Sequence, residues 1–180
     1  MKFARLELLF VIGVVAVVVS YFQQAPSSAP GPEAPLAAFT PGLLSIGQPV
    51  PTFALSDPSG ENVVYQAGQG PVMIVLTATG CGGCLERIDG LDREAYNKAK
   101  ERGIPVWNLL VYQGVEGARA FQEQHQPSAD LVLCDQKAEV SVATLGGSDA
   151  TCWLLIDKQG KLAWRGPANS EGLSRALQAL

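Results

Sequence analysis

The sequence predicts an α/β domain: a mixed β-sheet flanked by helices, with an N-terminal hairpin extension and an N-terminal transmembrane helix ahead of it. Three observations predict this. Short apolar runs alternate with amphipathic segments over residues 72–145. A strand–turn–strand pattern precedes that alternation and a second one follows it. Residues 8–19 form an unbroken apolar run.

Residues 1–5 carry Lys2 and Arg5 and read as a cytoplasmic N-terminus. Residues 6–22 form the expected anchor, about 25 Å of helix at roughly 1.5 Å per residue. Glu7 sits near the cytoplasmic end, where it can snorkel. Positive charge before the run places the rest of the chain across the membrane, in the periplasm or cell exterior. No small-x-small site closes the run, and Ala25 and Ala29 each precede proline, so the anchor is expected to remain uncleaved. Residues 23–43 hold Pro26, Pro30, Pro32, Pro35 and Pro41 among small residues and read as a semi-extended linker.

The folded domain is expected over 44–180. Thr52 to Leu55 alternates as a strand, Asp57-Pro58-Ser59-Gly60 turns, and Asn62 to Tyr65 returns. Val72 to Thr77 reads as a fully buried strand. Leu85, Ile88, Leu91 and Tyr96 then recur at helical spacing until Gly103 and Pro105. A second buried strand covers 106–112 and a helix covers 115–124, stopped near Pro127. A short strand spans 131–134, and a helix over 138–145 ends at Gly146-Gly147. Residues 152–156 and 161–164 form a hairpin around Asp157-Lys158-Gln159-Gly160. Ser170 caps a last helix whose apolar face holds Leu173, Leu177 and Leu180.

The formal net charge is −4 and the basic residues are scattered, which argues against nucleic-acid binding. A single histidine, His125, excludes mechanisms needing two, and its place at a helix end reads as solvated. Trp107, Trp153 and Trp164 read as sheet-packing residues.

The chemistry concentrates in Cys81-Gly82-Gly83-Cys84, at the junction of buried strand and helix. A helix N-terminus offers unpaired N–H groups and partial positive charge, which favour a thiolate at Cys81. Two intervening residues let Cys84 attack a mixed disulfide formed by Cys81, which is thiol–disulfide exchange. An inert bridge across so short a loop would constrain little of the unfolded chain. A zinc site would need Cys134 and Cys152 as further ligands, yet these form no close-spaced pair. Leu85 follows Cys84 where covalent haem attachment would need histidine. No metal or cofactor is therefore expected. Glu86 and Asp89 read as solvated charges or as proton acceptors for Cys84. Cys134 and Cys152 leave three readings open: buried thiols, a second thiol pair, or a relay through Cys152 beside the dithiol.

Three stretches in this order resemble the membrane-tethered, TlpA-like branch of the thioredoxin and peroxiredoxin-related (AhpC/TSA) superfamily. They are Gly47 to Leu55 with Asp57 and Gly60, Leu76 to Cys84, and Leu154-Leu155-Ile156-Asp157 with Gly160. The resemblance covers about residues 46–180 and implies a thioredoxin-like fold. It also implies a thiol–disulfide oxidoreductase whose clients are extracytoplasmic protein disulfides or dithiols, with a membrane electron donor or acceptor as second partner. Gly80 and Thr151 fall at the family's substrate-binding positions. Several family features are replaced. Gly80 stands where tryptophan is usual, Thr77 where another tryptophan is common, and Asp89 at a proline position; thioredoxins proper carry a buried acid near the position of Val75. Thr151 stands where a cis-proline is expected. Two other readings accompany the resemblance. A peroxidase would want threonine where Ala78 stands, and a non-catalytic assembly factor would keep only the fold.

Overall fold

The computed structural model describes residues 44–80, 93–146, 151–168 and 171–180. The expected anchor and linker, the dithiol with the first turns of its helix, and the Ser170 cap lie outside them. No helix among the described residues is long and apolar enough to cross a membrane.

The described strands are β1 (Phe53–Ser56), β2 (Asn62–Tyr65), β3 (Val72–Ala78), β4 (Val106–Val111), β5 (Leu131–Asp135), β6 (Thr151–Ile156) and β7 (Leu162–Gly166). They form one mixed sheet in the order β2-β1-β5-β4-β3-β6-β7. The parallel core β3-β4-β5 is extended by antiparallel β6 and β7 on one side and by the β1-β2 hairpin on the other. β3 is an inner strand, between β4 and β6, and its residues from Val72 to Thr77 are all buried. Burial on both faces explains why its sequence is a continuous apolar run rather than an alternating one.

Three α-helices are described: α1 (Arg93–Glu101), α2 (Val115–His125) and α3 (Glu171–Gln178). Ala95, Tyr96 and Ala99 of α1 join Leu173 and Leu177 of α3 over Met73, Val75 and Trp153. Ala118 and Phe121 of α2 cover Leu110, Val132 and Cys134. Val106 and Leu110 have the same parity along β4, so all three helices lie on one sheet face. Two successive crossovers from β3 to β4 to β5 move in one direction across the sheet, and right-handed connections then put both helices on one side.

The other face carries the larger core, with Ile74, Leu76, Leu109, Leu133 and Leu154 beneath Val140 and Leu145. Its cover differs from the regular helix expected at 138–145: residues Glu139–Thr144 form a π-helical turn. Two local causes are visible. Ala138 is left-handed at φ 55°, and the Asp135 carboxylate accepts the N–H groups of Val140 and Ser141, at 3.1 and 2.6 Å. The wider winding is seen where Leu145 N–H donates to Val140 C=O at 2.8 Å.

Candidate functional site

Strand β3 runs through Ala78 to Thr79 and the exposed Gly80, the last described residue before Cys81 in sequence. Beside it β4 ends, with Ala78 in register with Val111, and β5 ends with Val111 in register with Asp135. Antiparallel β6 starts at the same place, Thr151 lying opposite Thr77. The carboxyl ends of three parallel strands and the start of a fourth strand thus converge beside Gly80. Open α/β sheets place ligands outside such carboxyl ends.

Two of the predicted site residues are placed by this geometry. Gly80 is exposed, and no atom of the described residues lies within 4 Å of where a Cβ would stand. Thr151 occupies the first position of β6, next to the end of β3. Cys81, Cys84, Glu86 and Asp89 lie outside the described residues.

Cys134 and Cys152 are not brought together. They lie on β5 and β6, with β4 and β3 between them. Three strand spacings of about 4.8 Å separate them by roughly 14 Å, about twice the Cα separation a disulfide allows. They also face opposite sides of the sheet, Cys134 toward α2 and Cys152 into the larger core. The second-pair reading is therefore corrected. Cys134 is a buried free thiol whose pKa is pushed up, chiefly by burial and secondarily by the nearby Asp57 carboxylate. Cys152 is buried too, its thiol 3.8 Å from the Trp153 carbonyl. His125 ends α2 and lies against Phe121, ring centroids 5.0 Å apart.

Three further residues did not stand out in the sequence. Asn108 is wholly buried in register with Val75, and its amide has no hydrogen-bond partner among the described residues. The adjoining strand thus supplies a buried polar group beside Val75; the signal was one polar residue inside Val-Trp-Asn-Leu-Leu-Val. Asp135, 2% exposed, accepts three hydrogen bonds on one oxygen, from Val140 N–H, Ser141 N–H and Ser141 Oγ. It stands last in β5, where a strand end gives way to the π-helical turn. Tyr112, immediately after β4, is left-handed at φ 61° and 65% exposed. That conformation ends β4 at Val111, one residue short of the expected end.

The fold is that of a thioredoxin-like domain. Residues 46–165, two-thirds of the chain, match the AhpC/TSA family model, and the chain belongs to that family. Among solved structures, the chain is similar to a Chlorobium tepidum protein provisionally named thiol:disulfide interchange protein DsbE. That pair is 25% identical, with a TM-score of 0.60, over 76% of this chain and 97% of the other. A provisionally named protein disulfide isomerase from Bacteroides thetaiotaomicron is 22% identical, with a TM-score of 0.61, over 76% and 87% of the two chains. The thioredoxin domain of a thiol-disulfide oxidoreductase from Bacteroides vulgatus is 18% identical, with a TM-score of 0.60, over 76% and 97%. No curated protein matches the chain.

Proposed function

We propose that this protein is a membrane-anchored thiol–disulfide oxidoreductase that exchanges the Cys81/Cys84 dithiol with disulfides of extracytoplasmic protein clients. The carrying observation is the C-x-x-C sequence directly after the exposed Gly80, which follows an inner strand of a thioredoxin-like sheet. The name of the Chlorobium tepidum protein supports the same chemistry.

In the reducing direction, the Cys81 thiolate attacks one sulfur of the client disulfide. A mixed disulfide forms and the other client sulfur leaves as thiolate. The Cys84 thiolate then attacks Cys81 Sγ, closing the Cys81–Cys84 disulfide and releasing the second client thiolate. Two electrons pass to the client, and the two released thiolates take up protons from solvent. A dithiol-bearing membrane protein resets the pair by the same two displacements. Run backward, the sequence oxidises a client dithiol. Thr151 backbone at the start of β6 and the exposed Gly80 receive the client beside the dithiol.

The test is the redox equilibrium of the full chain in detergent against glutathione and dithiothreitol, with Cys134→Ser and Cys152→Ser controls. A reversible two-electron couple abolished by Cys81→Ala and retained in both controls is expected. A pair that never cycles would overturn the reading. Membership of the AhpC/TSA family keeps a peroxidase as the second reading. Peroxide consumption dependent on Cys81 would favour it. Sedimentation with membranes after alkaline extraction, lost on deletion of residues 6–22, tests the anchor.

A further inference from the structure

Two wholly buried polar side chains stand on the helix-covered face of the sheet. Asn108 on β4 and Thr77 on β3 are both 0% exposed. Asn108 is in register with Val75 and Thr77 with Leu110, so the two are diagonal neighbours on adjacent parallel strands. They share the parity of Val75 and Leu110, which the three α-helices cover.

Neither is satisfied by protein. Asn108 Oδ1, Asn108 Nδ2 and Thr77 Oγ1 all lack a hydrogen-bond partner among the described residues, so the two do not satisfy each other either. Leaving three such groups dry would cost a large share of the stability of an ordinary domain. Native folds rarely carry that cost. Geometry explains why the two side chains do not meet. One strand spacing across and two residues along separate their Cα atoms by roughly 8 Å. A gap of that kind between short polar side chains is what a bridging water spans.

The groups also choose the occupant. An amide and a hydroxyl are neutral, and each both donates and accepts, as water does. Asp135 is the one buried charged side chain among the described residues, and its carboxylate is turned to the other face, toward Val140 and Ser141. No group of three His, Cys, Asp or Glu among the described residues could hold a metal ion. An apolar occupant would leave all three polar atoms unpaired.

We propose that Asn108 and Thr77 form an internal water-binding site. One water bridges the Asn108 amide and Thr77 Oγ1. A second, bonded to the first, takes the remaining amide group. Each water then has two or three partners, the usual number for buried water. The site ties β3 to β4 by a bridge outside the backbone ladder, three residues before the exposed Gly80. It goes beyond the oxidoreductase reading and stands or falls without it.

The experiment is a water-selective NMR measurement on the full 15N-labelled chain in detergent. Rotating-frame spectra separate dipolar contact with water from proton exchange by sign. Dipolar cross-peaks to the Asn108 side-chain amide protons are expected. Thr77→Ser keeps the hydroxyl and should retain them. Thr77→Val should reduce them about twofold or more, since the bridging water loses one of about three bonds. Urea unfolding gives an independent sign. If the hydroxyl is hydrated, Thr77→Val loses a hydrogen bond and the midpoint should fall; if it is dry, the same change relieves an unpaired group and the midpoint rises. A parent without dipolar cross-peaks, or a midpoint that rises in Thr77→Val, overturns the site. Cross-peaks undiminished in Thr77→Val overturn the bridge between the two residues. The parent spectrum decides the site even where Thr77→Val does not fold.

Discussion

After β6 the chain turns at Asp157; after β4 it turns at Tyr112. The first turn is closed from within. Asp157 Oδ1 accepts Gln159 N–H at 2.9 Å and Lys161 N–H at 2.8 Å, and Gly160 takes φ 76°. The β1-β2 turn has the same construction: Asp57 Oδ1 accepts Ser59 N–H and Glu61 N–H, and Gly60 takes φ 91°. The Tyr112 turn has neither the acid nor the glycine. Its left-handed residue is an aromatic, and it is held by a carbonyl 23 residues further along the chain, that of Asp135. One kind of turn is specified by four consecutive residues and the other by the packing of strand ends. The difference teaches where the molecule has used its sequence for folding alone and where it has accepted a cost.

The largest effect should come from removing the anchor of the Tyr112 end. Asp135→Ala leaves two buried backbone N–H groups and the Ser141 hydroxyl without their acceptor. At about 1–3 kcal/mol for each buried group left unsatisfied, the loss should be about 3 kcal/mol or more. Urea unfolding followed by fluorescence of the three tryptophans would measure it; a loss under about 1 kcal/mol would show that the π-helical turn does not depend on Asp135.

Next come the paired glycines. Alanine at 160 would place its Cβ 2.8 Å from Ala67 Cβ and 2.9 Å from Ala67 Cα, on a left-handed backbone. Alanine at 60 meets the same backbone condition with nothing within 4 Å. Gly160→Ala should cost about 2–4 kcal/mol, combining left-handed strain and overpacking. Gly60→Ala should cost about 1 kcal/mol from strain alone. Equal losses in the same unfolding assay would mean that the Ala67 contact yields freely.

The same contrast explains what could be read in the sequence. The Asp-x-x-Gly turns, the apolar run of β3 and the β6-β7 hairpin were legible because each is decided by neighbours in sequence. Strand β4 was placed to within one residue, and the error is Tyr112: nothing in Tyr-Gln-Gly announces a left-handed aromatic, since the cause is a hydrogen bond to a distant carbonyl. The π-helical turn was legible as a helix but not as a wide one, because Asp135, which captures two of its N–H groups, precedes it on another element. Separation of Cys134 from Cys152 was invisible for a simpler reason. An even number of cysteines says nothing of strand order, and only the order β5-β4-β3-β6 puts two strands between them.

Tyr112→Asn carries a smaller effect and tests the cost directly. Asparagine tolerates the left-handed region that tyrosine resists. If the ring contributes nothing to folding, the variant should be more stable by about 0.5–1 kcal/mol. A loss of stability would mean that the ring supports the fold and offsets the strain of its backbone.

The smallest effect links the two regions through Cys134, which precedes Asp135 and feels the Asp57 turn. Burial and the Asp57 charge both raise its pKa, so the folded chain favours the neutral thiol. The contribution is fully present below the unfolded thiol value, about 8.5. It is lost as pH rises through the higher folded value, because the unfolded chain ionises first. Stability at pH 7 should carry no trace of this ionisation. Above about pH 8.5, the parent should lose stability more steeply than Cys134→Ala. Asp57→Asn should lessen the slope by less than Cys134→Ala does, since burial is the larger cause. Parallel alkaline slopes in parent and Cys134→Ala would show that this thiol does not couple ionisation to folding.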